Sequence, residues 1–300
     1  MKKVKIYRDQ VQLILDVLPL VHKEPCFALH GGTAINLFVR NMPRLSVDID
    51  LTYLPLEDRV TTLAHIKEAL ERLKKRIENA IKSARVIHKS DIGKLIISRA
   101  HLEIKLEVNL VGRGTLEDPI HLPLSKKAES EFNAFVSIPV VPISQLYGGK
   151  ICAALDRQHP RDLFDVKYLM EDQGFFNKVR EGFLLCLLSS DRPIHEVLEP
   201  NFQDQRQALE NQFVGMSEEA FTYKDYEETR EKLVQVISSS LTEDDKRFIL
   251  SVKNCEPDWS IYDFERFPSI QWKLQNLKKL KENNPIKHQE LFEALKNKLF

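Results

Sequence analysis

Apolar positions in this chain change period several times, and each change marks an element. Val11, Leu13, Ile14, Val17 and Leu18 recur at helical spacing and predict an opening helix over 10–21. Pro25 ends that approach, and residues 26–30 read as a short strand. After Gly31 and Gly32, the positions Ala34, Ile35, Leu37, Phe38 and Val39 make a helix with a broad apolar face suited to packing on a sheet. A loop through Pro43 leads to Val47-Asp48-Ile49-Asp50-Leu51, where apolar and acidic residues alternate; a strand there sets both carboxylates on one face. Residues 56–84 carry a long charged helix with Val60, Leu63, Ile66, Leu70, Leu73 and Ile77 on one stripe. Strands are expected over 85–89, 94–99 and 101–111. The last sets Glu103, Lys105, Glu107 and Asn109 against Leu102, Ile104, Leu106, Val108 and Leu110.

Residues 112–142 hold glycines and prolines with little periodicity and read as a connection, with a short strand at 134–140. Beyond it the pattern is helical: 143–157, 160–172, 175–189, 204–213, 223–239, 243–253, 270–283 and 286–299. Pro160 and Pro285 fall where a first helical turn tolerates proline. The expected architecture is α+β: a mixed sheet with flanking helices over 1–140, then a helical domain over 141–300.

Composition narrows the setting. The 300 residues include 44 basic and 44 acidic side chains, so the whole chain is not an electrostatic glove for nucleic acid, though a local basic surface is compatible with it. Cys26, Cys152, Cys186 and Cys255 stand apart with no CxxC pair, as expected of free thiols in a reducing cytoplasm. The start MKKVKIYRDQ is charged where a signal peptide is apolar, and no apolar run approaches a membrane span. A cytoplasmic protein with no membrane partner is expected.

Two stretches carry chemistry. In the first, Gly31 and Gly32 admit close approach of a ligand to the backbone, and the helix from Thr33 points its N–H groups at that turn, which suits a phosphate. Asp48 and Asp50, two apart on a strand, can hold a divalent cation beside it. The second is ISQLYGGKICAALDRQHPRDLFDVKYLM. Lys150 and Arg157 lie two helical turns apart, Arg161 and Asp165 are four apart, and Asp162 sits in a first turn favourable to an acid. Alone, this stretch reads more readily as a helix hairpin held by a local charge network.

HGGTAINLF…RLSVDIDL resembles the Gly-Gly/Ser and Asp-x-Asp signature of the DNA polymerase β-type nucleotidyltransferase superfamily. With YGGKICAAL…PRDLFDV and the later WSIYDFERFPSIQWKLQNLKKL, most of the chain is similar to the AbiEii/AbiGii toxin family, which includes the MenT toxins. The resemblance implies a mixed-sheet catalytic domain and a helical domain, with a nucleoside triphosphate and Mg²⁺, two ions, bound between them. It makes Asp48 and Asp50 metal ligands and sets Gly31, Gly32 and Ser46 at the triphosphate; Thr33 keeps the hydroxyl where the superfamily often has serine. Lys150 matches a nucleotide-contacting lysine, with Arg157 and Arg161 beside it. The essential acid of the Arg-Asp-x-x-Asp segment is Asp162 or Asp165, a choice left open. A third carboxylate, metal ligand or general base, is expected at Glu107, with Glu103 as the alternative.

The implied activity is transfer of a nucleoside monophosphate from an NTP to an acceptor hydroxyl, by a toxin with a cognate antitoxin. The expected acceptor is the 3′ end of tRNA, whose modification blocks translation, with Lys74, Lys75, Arg76, Lys82, Arg85 and Lys89 available for phosphate contacts. Modification of a protein or small-molecule hydroxyl, or a catalytically silent nucleotide-binding module, are the alternatives.

Overall fold

The computed structural model describes residues 2–172 and 175–300. The chain divides into two compact units: residues 1–142 with 213–220, and residues 143–212 with 221–300.

In the first unit α1 (Lys2–Val21) leads to β1 (Phe27–His30). α2 (Gly31–Thr33) follows and runs on without a break as a π-helical turn, Ala34–Val39. Then come β2 (Asp48–Tyr53), α3 (Arg59–Ala80), β3 (Ala84–Lys89), β4 (Lys94–Arg99) and β5 (Leu102–Asn109). β6 (Ile120–Pro123), α4 (Lys126–Phe132) and β7 (Ser137–Val140) complete the unit's regular elements. The strands form one sheet in the order β3-β4-β5-β2-β1-β7-β6, with β2/β5 and β1/β7 parallel and the other pairs antiparallel. This is a mixed sheet flanked by helices.

α1 extends further back than its apolar periodicity, and its first turns leave Val4 and Ile6 exposed. α3 begins later than expected because the Asp58 carboxylate caps it, accepting from the Val60 and Thr61 amides. Val60, placed on the apolar stripe by sequence, is therefore in the first turn and exposed, while Ile66, Leu70, Leu73 and Ile77 are buried. α1 and α3 cover one sheet face. Asp16 of α1 pairs with Arg99 on β4, and Glu71 of α3 meets His88 on β3. Residues 112–142, expected as a connection with a short strand at 134–140, hold that strand as β7 and add β6 and α4 to the unit. β6 is only four residues long, too short for period-2 patterning to stand out.

The second unit is helical: α5 (Ile143–Asp156), α6 (Pro160–Met170), α7 (Phe175–Ser189), α8 (Ile194–Leu198) and α9 (Arg206–Ala208), then α10 (Tyr223–Ser240), α11 (Glu243–Lys253), α12 (Pro268–Asn283) and α13 (Pro285–Leu299). Residues 209–213, expected within one helix, form a π-helical turn, and the five-residue α8 falls outside the expected set. α5 and α7 pack backbone to backbone. A Cβ on Gly148 would overlap the main chain of Gly182 and Phe183, and one on Gly182 would stand 2.6 Å from the Gln145 nitrogen. The α6 boundary at Pro160 follows from proline at N1, where its missing N–H is not needed. No helix among the described residues is long and apolar enough to cross a membrane.

Candidate active site

The first unit gathers most of the glycine–aspartate stretch at one place. β1 and β2 pair antiparallel with His30 opposite Asp50, so the chain leaving β1 turns at Gly31 directly over the Asp50 side chain. Gly31 has φ +70, and a Cβ there would lie 2.9 Å from the Asp50 Cγ and closer still to Oδ2. Only glycine satisfies both the left-handed backbone and the contact. A Cβ on Gly32 would be 2.9 Å from the Arg44 Nη2 and 3.0 Å from the Ser46 Oγ. The Thr33 hydroxyl is buried, reaching the Ser46 Oγ at 3.0 Å and the Asp48 carbonyl oxygen. Thr33 and Ser46 thus tie the start of the helix to the start of β2. The π-helical turn that follows is a rare form found disproportionately at functional sites.

Asp48 and Asp50 project from the same face of β2 and are half-buried. The parallel pairing of β2 with β5 sets Lys105 beside Asp48 and Glu107 beside Asp50, so Glu107 shares the aspartates' face. Glu107 is half-exposed and ion-paired with Lys94 of β4. Glu103 lies further along β5, in register with Ser98 rather than with either aspartate. Among the described residues no three His, Cys, Asp or Glu side chains gather closely enough to hold a metal ion by themselves.

Arg44 belongs to this group and was not singled out by the sequence. It is buried, donates from Nη1 to the Leu45 carbonyl at 2.9 Å, and its guanidinium lies over Gly32. Its loop is fixed by the later segment 213–220: Arg44 bridges Ser217, the Leu45 amide donates to the Met216 carbonyl at 2.7 Å, and the Ser217 hydroxyl donates to the Pro43 carbonyl at 3.1 Å. Of the lysines and arginines proposed for phosphate contact, Lys74, Lys75 and Arg76 belong to α3, on the covered side of the sheet. Arg76, with Arg72, is taken up by the buried Glu24 carboxylate.

The second unit gathers the other stretch. Lys150 on α5 and Asp162 and Asp165 on α6 are all nearly inaccessible, and the Lys150 ammonium donates to Asp162 at 2.8 Å and contacts Asp165 at 3.1 Å. Arg157, just past the end of α5, donates to Asp162 from Nε at 2.6 Å and from Nη2 at 3.0 Å, a two-pronged pairing, while its own side chain is 60% exposed. Burial acts to raise the Asp162 carboxyl, but the Lys150 charge and the Arg157 hydrogen bonds outweigh it and hold the group well below the usual carboxylate range. Asp165 contacts Lys150 as well as lying one helical turn from Arg161. Arg161 is in the first turn of α6, where its amide donates to the His159 Nδ1 at 3.1 Å. His159 therefore caps α6 as a neutral ring, with Nε2 donating to the Gln212 Oε1 at 3.0 Å. Burial pushes its pKa down, consistent with that tautomer. A separate cavity of about 460 Å³ lies among Leu198, Val234, Ile237, Leu241 and Leu299 and holds none of these residues.

A glycine turn packed against one carboxylate of a paired-aspartate strand, on a mixed sheet, is the arrangement expected from the nucleotidyltransferase signature. The profile of the nucleotidyl transferase AbiEii toxins, of type IV TA systems, matches residues 12–276. The chain belongs to this family and is a nucleotidyltransferase toxin of a type IV toxin–antitoxin system. MenT4, a nucleotidyltransferase toxin from Mycobacterium tuberculosis H37Rv, matches structurally with a TM-score of 0.58 at 15% identity, covering 92% of this chain and 99% of MenT4. At that identity the likeness is one of fold. A search of curated proteins gives no significant match.

Proposed function

We propose that this chain moves a nucleoside monophosphate from an NTP to the 3′-terminal hydroxyl of a tRNA, in a Mg²⁺-dependent reaction that releases pyrophosphate and blocks translation. The observation that carries the reading is the packing of Gly31 onto the Asp50 carboxylate. It sets backbone amides and carboxylates side by side, as a triphosphate–metal complex requires. Asp48 and Asp50 offer hard oxygen donors on one strand face, a set that fits Mg²⁺ and not a soft metal. Two side chains would hold the ion, with phosphate oxygens and water completing its coordination. When bound, the metal neutralises charge on the phosphates and lowers the pKa of the attacking hydroxyl.

The chain's own residues do the rest. The amides of Gly31, Gly32 and Thr33 and the Ser46 hydroxyl receive the phosphates at a helix start. Arg44, buried over Gly32, adds a fixed positive charge whose orientation needs no rearrangement during reaction. Glu107, beside Asp50 and held by Lys94, serves as the base that takes the proton of the incoming hydroxyl. In the helical unit Asp162 fixes Arg157, whose side chain stays largely exposed and brings a positive charge to the surface. Lys150 balances Asp162 and Asp165 and sets the hairpin that carries Arg157 and Arg161.

The test is incubation of the chain with each α-³²P-labelled NTP and Mg²⁺, with total tRNA as acceptor and Asp48→Ala as control. Label on tRNA with one NTP, lost in the control and on chelation, supports the reading. Label on protein alone assigns a protein-modifying enzyme, and nucleotide binding with no transfer assigns a silent module.

A further inference from the structure

The sheet face opposite α1 and α3 leads outward from the aspartates. Lys89 is in register with Lys94, Lys94 with Glu107, and Glu107 with Asp50. The adjacent row runs Ile87, Ile96, Lys105, Asp48, and the next begins Arg85, Ser98, Glu103. Residues in register, or two apart on one strand, share a face, so these side chains line a single surface. The reverse face is occupied: Val86, Leu95, Ile97, Ile104 and Leu106 are buried there. The open face is accessible, with Arg85, Lys89 and Lys105 exposed and Ile87 57% exposed beside the half-exposed Ile96.

We propose that this open face of β3, β4 and β5 is the platform on which the acceptor RNA end lies as it reaches the site. The inference rests on the RNA reading above and names the surface that implements it. Of six charged side chains on the face, four are cations (Arg85, Lys89, Lys94, Lys105) and two are acids (Glu103, Glu107). Glu107 is taken by Lys94, which leaves Arg85 and Lys89 as the outer cations and Lys105 as the inner one, beside Asp48. Single-stranded RNA needs cations for its phosphates and an apolar floor for its unstacked bases, and an open sheet supplies both. Here Ile87 and Ile96 are the floor. Three interstrand steps separate Lys89 from Asp50, about 14 Å at the usual strand spacing. A strand of RNA laid across them ends with its terminal hydroxyl beside Glu107. A folded protein acceptor has no use for such a track, since the row of cations would face a surface of mixed charge.

The experiment uses the full chain. Transfer to tRNA by the unaltered chain is measured first, and its absence defeats the reading on which the platform rests. KM for tRNA and for NTP are then compared in the Arg85→Glu/Lys89→Glu variant and in Ile87→Ser, all exposed positions, with a thermal melt to verify folding. The double variant is expected to raise KM for tRNA at least about ten-fold and to flatten its dependence on log salt by roughly 0.7 per lost phosphate contact. KM for NTP stays unchanged. Ile87→Ser raises KM for tRNA without altering the salt slope. Folded, active variants with the unaltered chain's KM for tRNA and salt slope overturn the platform and leave the transferase reading standing.

Discussion

Gly31 and Gly32 are neighbours in sequence but constrain the site differently. At Gly31 a methyl group meets the Asp50 carboxylate, which the sheet holds, and the left-handed backbone adds about 1–2 kcal/mol for a residue with a Cβ. At Gly32 the nearest atoms are the ends of the Arg44 and Ser46 side chains, which can shift. Gly31→Ala should therefore cost more than Gly32→Ala in both melting temperature and kcat; equal losses would mean the contact with Asp50 is unimportant. Asp48→Asn and Asp50→Asn each remove charge at the phosphates and should lower kcat on the order of 10²-fold or more with little change in melting temperature. Assays of purified variants with one labelled NTP decide this, and a variant keeping most of its turnover would remove that aspartate from the site. Much of this was legible in the sequence, because a Gly-Gly turn and an alternating Asp-x-Asp strand are local patterns. Arg44 was not: its place over Gly32 depends on the loop being pinned by Met216 and Ser217, far along the chain.

At the scale of elements, period and punctuation located the long helices and central strands, while cross-strand register stayed hidden. Alternation showed that Glu107 and Glu103 share a strand face; only the parallel pairing of β2 and β5 puts Glu107, and not Glu103, beside Asp50. The YGGK stretch also holds two meanings in adjacent letters. Lys150 reaches the α6 carboxylates, whereas Gly148 is the point where α5 meets α7. Because a Cβ there strikes backbone that cannot rotate away, Gly148→Ala should destabilise the chain by about 1–3 kcal/mol or more. Urea unfolding of the variant checks this; an unchanged midpoint would show that the helices separate at little cost. Asp162→Asn leaves Lys150 with Asp165 as its remaining carboxylate and should cost about 1–3 kcal/mol in the same urea unfolding; no loss would mean Asp165 alone balances the lysine.

Over the whole molecule the ionisable groups that bear on stability are unevenly distributed. In the first unit Asp58 and Glu218, both exposed, and the half-exposed Glu71 have lowered pKa values, so solvent screens what they contribute. The helical unit instead holds His159, kept neutral as the cap of α6, and Asp162, kept ionised between Lys150 and Arg157. Both have folded-state values below their unfolded ones. Each therefore contributes fully above its unfolded value, and the contribution declines as pH falls toward the folded value. For His159 the decline starts near the ordinary histidine value of about 6.5, where a proton on Nδ1 removes the acceptor that caps the Arg161 amide. For Asp162 it starts near the ordinary aspartate value of about 3.9. On acidification the α5–α6 hairpin should thus lose protection in two stages while the central strands β2 and β5 keep theirs. Amide hydrogen exchange measured from pH 7 down to about 4 reads the first stage and the onset of the second. His159→Asn, which caps without titrating, should abolish the first stage and leave the second. Strands losing protection together with α6 would place the acid-sensitive groups in the sheet instead, and would overturn the assignment of pH sensitivity to the helical unit.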